Sequence, residues 1–181
     1  MPKRMAAATT PSSWPCTTFL KLLPRSRIIL PQREFSTHPL VGVGGIVIDA
    51  RGYVLLVKRG NEPRKGHWSI PGGLLELGES LLEGVKREIR EETGLLVEPR
   101  EIVEVVDRLY KEGDRIRYHY VIVDYWCSVV GGEAHAASDA ADVHWASPAE
   151  WRNGNPFDLE PIALEVIEKA WRMASAAGAW R

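Results

Sequence analysis

The sequence predicts an α/β domain, because stretches with strand character alternate with stretches of helical periodicity. Residues 41–48 and 53–59 are rich in aliphatic and β-branched side chains and flank a turn at residues 49–52, as in a β-hairpin. Residues 80–93 and 159–173 instead repeat apolar side chains every three or four positions. That spacing is typical of helices that pack one face on a sheet.

The remaining elements are shorter or less regular, and turn-forming residues separate them. Pro148 directly after Ser147 predicts the start of a short helix, since proline suits the first helical position and serine suits the N-cap. The other predicted elements, in chain order, are a polar loop at 61–66, an extended piece with a glycine-rich bend at 68–73, strands near 101–110 and 116–127 joined by a turn at 111–114, and a short strand at 142–146.

The amino terminus has a different composition from the rest of the chain. Residues 1–33 contain six basic residues, five prolines and no acidic residue. This composition is compatible with a disordered tail, with a start codon assigned too far upstream, or with a mitochondrial or plastid transit peptide. We expect residues 1–35 to be this tail or transit-like segment, 36–175 the folded domain and 176–181 a short C-terminal tail.

Composition and charge exclude several classes of partner. The net charge of −1 gives no electrostatic reason to expect a nucleic-acid polymer. No apolar run approaches the ~20 residues that a membrane span needs. The two cysteines, Cys16 and Cys127, lie far apart and match no metal-ligand spacing, which indicates a reducing compartment. We therefore expect a cytoplasmic protein, or an organellar one if the amino terminus is a transit peptide, and leave homodimerisation open.

The helix at 80–93 carries its own start and stop signals. Ser80 and Glu83 have the spacing of a capping box, and Gly94 follows the last turn as a C-cap residue would. Its apolar stripe, which faces away from the charged residues, consists of Leu82, Val85 and Ile89.

Three carboxylates project together from another face of this helix. Glu88, Glu91 and Glu92 are spaced i, i+3 and i+4, which places them on one side. A solvated charged face is the ordinary explanation for such a stripe. A cluster of carboxylates also suits Mg²⁺, a hard cation that prefers oxygen ligands and bridges to substrate phosphates.

The surrounding residues favour the second explanation. Gly73, Glu79, the run Arg87-Glu88-Ile89-Arg90-Glu91-Glu92, Gly94 and Leu95 fill every specified position of a 23-residue signature. The chain here resembles the Nudix hydrolases. The resemblance implies an α/β/α sandwich with a mixed central β-sheet, and hydrolysis of a nucleoside diphosphate linked to another group, with a divalent metal.

The resemblance also implies roles for individual residues. Glu91, Glu92 and the Gly72 carbonyl would bind the metal, Mg²⁺ or alternatively Mn²⁺, and Glu88 would act as ligand or as water-activating base. Arg87 would orient Glu88 and its neighbours, and Glu79 would brace the loop. A further acidic ligand often precedes a tryptophan-bearing strand in the family. Here Asp139 is the first candidate and Asp142 the second, although a capping role suits either aspartate equally.

Candidates for substrate binding lie on both sides of the signature. Arg59, Arg64 and Lys65 can meet substrate phosphates, with solvated surface charge as the equal alternative. Trp68 can stack on a base or belong to the core. Tyr110, sixteen residues after Gly94, occupies the place of a tyrosine that is frequent in dinucleoside polyphosphate hydrolases. The histidines, which we expect to be structural or exposed, are His67, His119 and His144.

These markers leave the substrate open within one class. An ADP-ribose-like compound is slightly favoured, and nucleoside triphosphates or dinucleoside polyphosphates are the alternatives. The family also includes non-catalytic modules that sense a nucleotide, usually with a damaged acidic motif. Because the motif is intact here, we expect an enzyme with a small nucleotide as its substrate.

Overall fold

A computed structural model describes residues 33–62 and 64–180, which form seven strands and three helices. The strands are β1 (Leu40–Ile48), β2 (Val54–Arg59), β3 (Trp68–Ser69), β4 (Gly72–Leu74), β5 (Leu96–Glu112), β6 (Arg115–Gly131) and β7 (Ala140–Ala146). The helices are α1 (Leu81–Thr93), α2 (Pro148–Arg152) and α3 (Pro161–Ala176). No helix in this part of the chain is long and apolar enough to cross a membrane.

The strands form one mixed sheet with β1 near its centre. β1 pairs with β6 in parallel, from Leu40 opposite Tyr120 to Ile48 opposite Ser128. Every other strand pairing is antiparallel: β1 with β2 and β4, β2 with β3 and β7, and β5 with β6. The strand order β3-β2-β1-β6-β5 places the long β5 at an edge. The predicted mixed sheet is confirmed.

Helices cover both faces of this sheet because β1 is buried on both sides. Val43 and Val47 pack with α1 in one hydrophobic cluster, whereas Ile46 and Ile48 pack with α2 and α3 in another. This alternation follows from the two-residue period of side chains along a strand. The predicted α/β/α sandwich is confirmed.

Helix α1 has the predicted caps. Ser80 accepts a hydrogen bond from the Glu83 backbone N–H, and the Glu83 side chain accepts one from the Ser80 backbone in return. Gly94 ends the helix in the left-handed conformation, at φ 72°. Ile89 lies against Gly45 of β1, so the helix is fixed over the centre of the sheet. The carboxylates of its last turns are thereby held beside β4.

Three predicted boundaries were wrong. Strand β5 begins at Leu96 rather than near residue 101, even though Pro99 lies inside it. An edge strand tolerates proline, and the pairing with β6 shifts register between Pro99 and Ile102. The pairing of β5 with β6 also makes both strands longer than predicted. The turn between them contains only Gly113 and Asp114 rather than residues 111–114. Helix α3 spans Pro161–Ala176 rather than 159–173, because proline suits its first turn.

The two ends of the described region contact the domain. The Glu34 carboxylate accepts hydrogen bonds from the hydroxyl of Tyr118 at 2.6 Å and from Arg117 at 3.1 Å, two residues before the predicted domain boundary. Near the carboxyl end, the centre of the Trp180 ring lies 5.1 Å from the centre of the Trp171 ring. Trp180 belongs to the predicted C-terminal tail. Residues 1–32, where the predicted transit-like segment falls, lie outside the described residues.

Candidate active site

A pocket of about 380 Å³ opens between the carboxylate end of α1, the β4 region and the amino-terminal end of α3. Its walls are formed by strands from the middle of the sheet, and residues at the start of α3 complete the lining. The sequence-predicted site residues that line it are Arg59, Arg64, Trp68, Gly72, Arg87, Glu88, Glu91, Glu92, Tyr110 and Asp139. Residues up to eighty positions apart in sequence are therefore brought to one cavity.

Arg87 connects the carboxylates of the signature to the loop before α1. Its guanidinium donates to both Glu79 oxygens, to Glu88 Oε1 at 2.8 Å and to the Leu74 carbonyl at 3.0 Å. Glu79 also accepts the Glu76 backbone N–H at 3.0 Å. Hydrogen bonds from Arg87 hold the pKa of Glu79 below its ordinary value. Glu79 does not line the pocket, so its contacts favour the predicted bracing role.

Glu88 lies against the backbone of β4. A Cβ atom at Gly73 would approach the Glu88 carboxyl carbon to 2.4 Å, so any larger residue would displace that side chain. Burial raises the pKa of Glu88 above its ordinary value, and Arg87 opposes this shift. In this chain, a side chain at position 73 would compete with the Glu88 carboxylate for the same space.

Glu92 is the most buried carboxylate of the helix, at 7% relative exposure. Its Oε2 accepts the Gly72 backbone N–H at 3.0 Å. Burial raises the pKa of Glu92, and the negative charges of Glu88 and Asp139 add to this shift, so that the net value is about 7. The Gly72 hydrogen bond and the charge of Arg59 act in the opposite direction. A cation bound beside Glu92 would relieve this repulsion.

The donor set suits a hard divalent cation, but the side chains are not closed around one point. Within residues 33–62 and 64–180, no three acidic, histidine or cysteine side chains are arranged as a metal cage. Arg87 occupies one oxygen of Glu88, and the Glu91 side chain is 51% exposed. Glu88, Glu91 and Glu92 are the carboxylates that could supply oxygen ligands and negative charge to such a cation, in an arrangement open to water and phosphate.

The two candidate aspartates outside α1 differ in position. Asp139 lines the pocket, and its charge is close enough to raise the pKa of Glu92. Ser138 beside it adopts a positive φ of 52°, and the Asp139 carbonyl accepts the Gly60 N–H at 2.7 Å. Asp142 lies outside the pocket lining, and its Oδ1 accepts a hydrogen bond from the Val143 backbone at 2.8 Å. This geometry favours Asp139.

The predicted basic residues separate into two groups. Arg59 and Arg64 line the pocket, whereas Lys65 is exposed outside it. Arg64 donates to Glu160 Oε1 at 2.7 Å, and Arg108 forms an ion pair with the other oxygen of Glu160. Glu160, directly before the first residue of α3, thereby holds two guanidinium groups together in the pocket wall.

The predicted aromatic residues form two parts of the wall. Trp68 is half-buried and packs edge-on against Phe157, with ring centres 5.7 Å apart, so it has both core contacts and a pocket-facing surface. Tyr110 accepts a hydrogen bond from Arg108 at 3.2 Å and packs edge-on against Tyr118. The histidines named in the sequence analysis, His67, His119 and His144, are absent from the lining.

Sequence reasoning missed five charged residues of the pocket, namely Arg33, Glu76, Arg108, Asp124 and Glu160. Arg108 stands two residues before Tyr110 on the same strand, and this period of two was an available signal. Glu160 precedes the proline that opens α3. Asp124 lies within an apolar run of β6, where an isolated acidic residue is unusual.

Comparisons with known proteins agree with this geometry. A family model described as NUDIX domain matches residues 38–170. An ADP-ribose pyrophosphatase of Methanocaldococcus jannaschii is 40% identical over 109 residues, which is 60% of this chain and 62% of that protein. A MutT-like protein of Streptomyces ambofaciens is 36% identical over 120 residues, covering 65% of this chain and 71% of that protein.

Solved structures share the architecture. The crystal structure of a MutT Nudix hydrolase from Burkholderia pseudomallei has a TM-score of 0.62 at 27% identity, covering 73% of this chain and 98% of that one. Its sandwich corresponds to the described domain, and the matched family model extends over the acidic helix and the pocket strands. The chain belongs to the Nudix family.

Proposed function

We propose that this chain is a Mg²⁺-dependent pyrophosphohydrolase acting on a small nucleoside diphosphate derivative, with ADP-ribose as the favoured substrate. One observation carries the proposal: a single pocket joins the carboxylates of α1 to a compartment lined by apolar, aromatic and arginine side chains. Such a pocket suits a ligand with a diphosphate at one end and a base at the other. The name of the archaeal relative, an ADP-ribose pyrophosphatase, supports the choice of substrate.

The metal would be held by Glu91, Glu92 and the Gly72 carbonyl, with Glu88 or Asp139 completing the set. Bound Mg²⁺ supplies neutralisation of the charge that develops on the diphosphate during hydrolysis. The protein side of this site is a group of carboxylates, and burial together with their mutual repulsion raises the pKa of Glu88 and Glu92. Mn²⁺ fits the same oxygen ligands.

Glu88 would accept the proton of the attacking water. Its pKa is raised by burial, which makes a carboxylate a stronger base. The hydrogen bond from Arg87 Nη1 fixes one of its oxygens, at 2.8 Å, and leaves the other available. Arg87 is thus a positioning residue, since it acts on the water through Glu88.

Phosphate charge on the substrate would be met by Arg59 and Arg64, which lie on the strand and loop before β4. Arginine presents several N–H groups in a plane, which suits phosphate oxygens. Trp68 and Tyr110 offer ring surfaces to the remainder of the substrate. The position of Tyr110 keeps dinucleoside polyphosphates as a second candidate.

The test is a substrate panel with the purified full chain and Mg²⁺. ADP-ribose, diadenosine polyphosphates, nucleotide sugars and nucleoside triphosphates are compared by kcat/KM, and products are separated by chromatography. We expect AMP and ribose 5-phosphate from ADP-ribose as the fastest reaction. Glu92→Gln should lose this activity, and the exposed Glu165→Gln on α3 should keep it. Binding of nucleotides without turnover of any of them would contradict the proposal and identify a sensing module.

A further inference from the structure

Asp124 of β6 is a buried acid with an unpaired oxygen. It is 4% exposed, and its Oδ1 has no hydrogen-bond partner among the described residues. A buried carboxylate oxygen without a donor costs free energy, so such groups are normally paired. Asp124 also lines the pocket, at a position that the metal chemistry proposed above does not use.

The neighbouring strand leaves room for this side chain. A Cβ atom at Gly44 would lie 2.1 Å from Asp124 Oδ1, so only glycine permits the carboxyl group to rest against β1. Gly44 is the parallel partner of Asp124 and also the antiparallel partner of Gly72. The absence of a side chain at Gly44 therefore provides the space that the Asp124 carboxyl group occupies.

Arg108, the arginine whose positive charge acts on Asp124, has other partners. The charge of Arg108 lowers the pKa of Asp124, but burial prevails and raises it to about 7. The hydrogen bonds of Arg108 go to Tyr110, and its ion pair is with Glu160. Asp124 thus contributes to the pocket wall, and its Oδ1, beside Gly44, is a hydrogen-bond acceptor that the described residues do not satisfy.

The surroundings of Asp124 are apolar. Ile70 approaches Gly44 from the pocket side, and Val106 and Ile122 pair on adjacent strands in the same wall. A sugar placed here would lose water from several hydroxyl groups at once. A flat heteroaromatic ring with one N–H donor fits better, because its faces are apolar and only its edge is polar.

The spacing to the proposed metal site suits a nucleotide. Gly72, Gly44 and Asp124 are successive partners across three strands, so their backbones are separated by two strand spacings, or about 10 Å. A nucleoside 5′-phosphate spans a distance of this order between its phosphate and its base. A substrate with phosphate beside Gly72 would therefore bring its base to Asp124.

We propose that Asp124 determines base specificity by accepting a hydrogen bond from the exocyclic amino group of adenine. The inference rests on the proposed function for its choice of a nucleotide. Hypoxanthine has a carbonyl group where adenine has this amino group, so a hypoxanthine bound in the same position presents an acceptor to the Asp124 carboxylate, and its N1–H can reach that carboxylate only if the base shifts along its edge. Inosine compounds should therefore bind worse than adenosine compounds, while an asparagine at this position can donate to the carbonyl group and accept from the amino group.

Binding of AMP and IMP to the full chain, measured by titration calorimetry, tests the inference without requiring turnover. We expect the wild type to bind AMP at least about tenfold more tightly than IMP, since an unpaired buried group is strongly disfavoured. In Asp124→Asn this preference should fall to about threefold or less. Asp107→Asn is the matched control, because Asp107 is 71% exposed on β5 and lies outside the pocket.

Equal affinities for AMP and IMP in the wild type would overturn the inference, whether or not the variant folds. A similar loss of both affinities in Asp124→Asn would also overturn it, since that pattern indicates a structural role. Turnover of ADP-ribose against its inosine analogue separates the two proposals. An Asp124-dependent preference for AMP without hydrolysis would leave base recognition standing and refute the enzymatic function. Hydrolysis of both compounds at equal kcat/KM would support the enzymatic function and refute base recognition by Asp124.

Discussion

Arg87 donates from Nε to Glu79 Oε1 at 2.7 Å and from Nη2 to Glu79 Oε2 at 2.9 Å, a two-point contact that fixes the plane of its guanidinium. Nη1 in that plane is what reaches Glu88. A glutamate in the loop before α1 therefore orients the proposed base through the arginine between them. Lysine cannot reproduce this geometry, because its ammonium group is a point charge on a flexible stem.

Arg87→Lys should lower kcat by about 10- to 100-fold with a smaller effect on KM, as expected when a residue that orients the site is lost. Since Arg87 lowers the pKa of Glu88, the acidic limb of the pH–rate profile should move to higher pH in the variant. Arg90→Lys, exposed on the same helix, is the control and should leave both quantities unchanged. An unchanged pH profile in Arg87→Lys would contradict the positioning role.

Glu91→Gln and Glu92→Gln should each lower kcat by about 10²-fold or more, because loss of a metal ligand removes several kcal/mol of transition-state stabilisation. The fold should survive in both, since glutamine at position 92 can still accept the Gly72 N–H. Steady-state rates at saturating Mg²⁺ and thermal unfolding measure the two effects. Turnover close to that of the wild type in both variants would refute the metal assignment.

Asp139→Asn should raise the Mg²⁺ concentration needed for half-maximal rate, because Asp139 shares the pocket with Glu92. Asp142→Asn should change that concentration little, since its contact is with the backbone of its own strand. Mg²⁺ titrations of activity, with melting temperatures alongside, distinguish the two. A lower melting temperature with unchanged Mg²⁺ dependence in Asp139→Asn would make this aspartate a capping residue.

Asp124→Asn should stabilise the protein more at pH 8 than at pH 4. The ordinary pKa of 3.8 describes the unfolded chain, and burial raises the folded value to about 7. The unfolded state therefore releases the proton first, and wild-type stability falls as the pH rises from about 4 to 7. Asparagine does not ionise, so the free energy of unfolding of the variant does not fall for this reason.

The gain at pH 8 relative to pH 4 should be on the order of 4 kcal/mol, since the pKa of Asp124 is raised from 3.8 to about 7 and one pKa unit corresponds to about 1.4 kcal/mol. Urea unfolding at both pH values measures it, with Asp107→Asn as the exposed control. A difference between Asp124→Asn and wild type that does not depend on pH would mean that the Asp124 pKa is the same in both states.

Local chemistry predicted the best-defined parts of this molecule. The capping box of Ser80 and Glu83, the Gly94 cap and the hairpin at Asp49 each depend on residues within a few positions, so the pattern alone is sufficient. The grouping of Glu88, Glu91 and Glu92 on one side follows from helical geometry in the same way.

Long-range pairing was beyond such reasoning. Strand β5 begins at Leu96 because its pairing with β6 continues on both sides of Pro99. The residues around Pro99 alone predict an interruption there, since proline lacks the N–H that a strand pairing uses. Asp124 was missed because its importance comes from Gly44, eighty residues earlier in the chain. The junction of Arg64 and Arg108 on Glu160 likewise joins three distant segments.

The parallel pairing of β1 with β6 constrains how the chain reaches its native state. Each of its contacts joins residues eighty positions apart, so β1 cannot acquire this neighbour during synthesis until β6 has left the ribosome. Such a pairing loses the entropy of closing a long loop before its stabilising contacts form. Pairings of high contact order therefore form slowly. The α1 helix and the β5–β6 hairpin have local contacts and can form first. We therefore expect β1 to join the sheet late in folding. Its apolar residues stay exposed until then, so we expect them to be the segment that most needs chaperone binding to prevent aggregation.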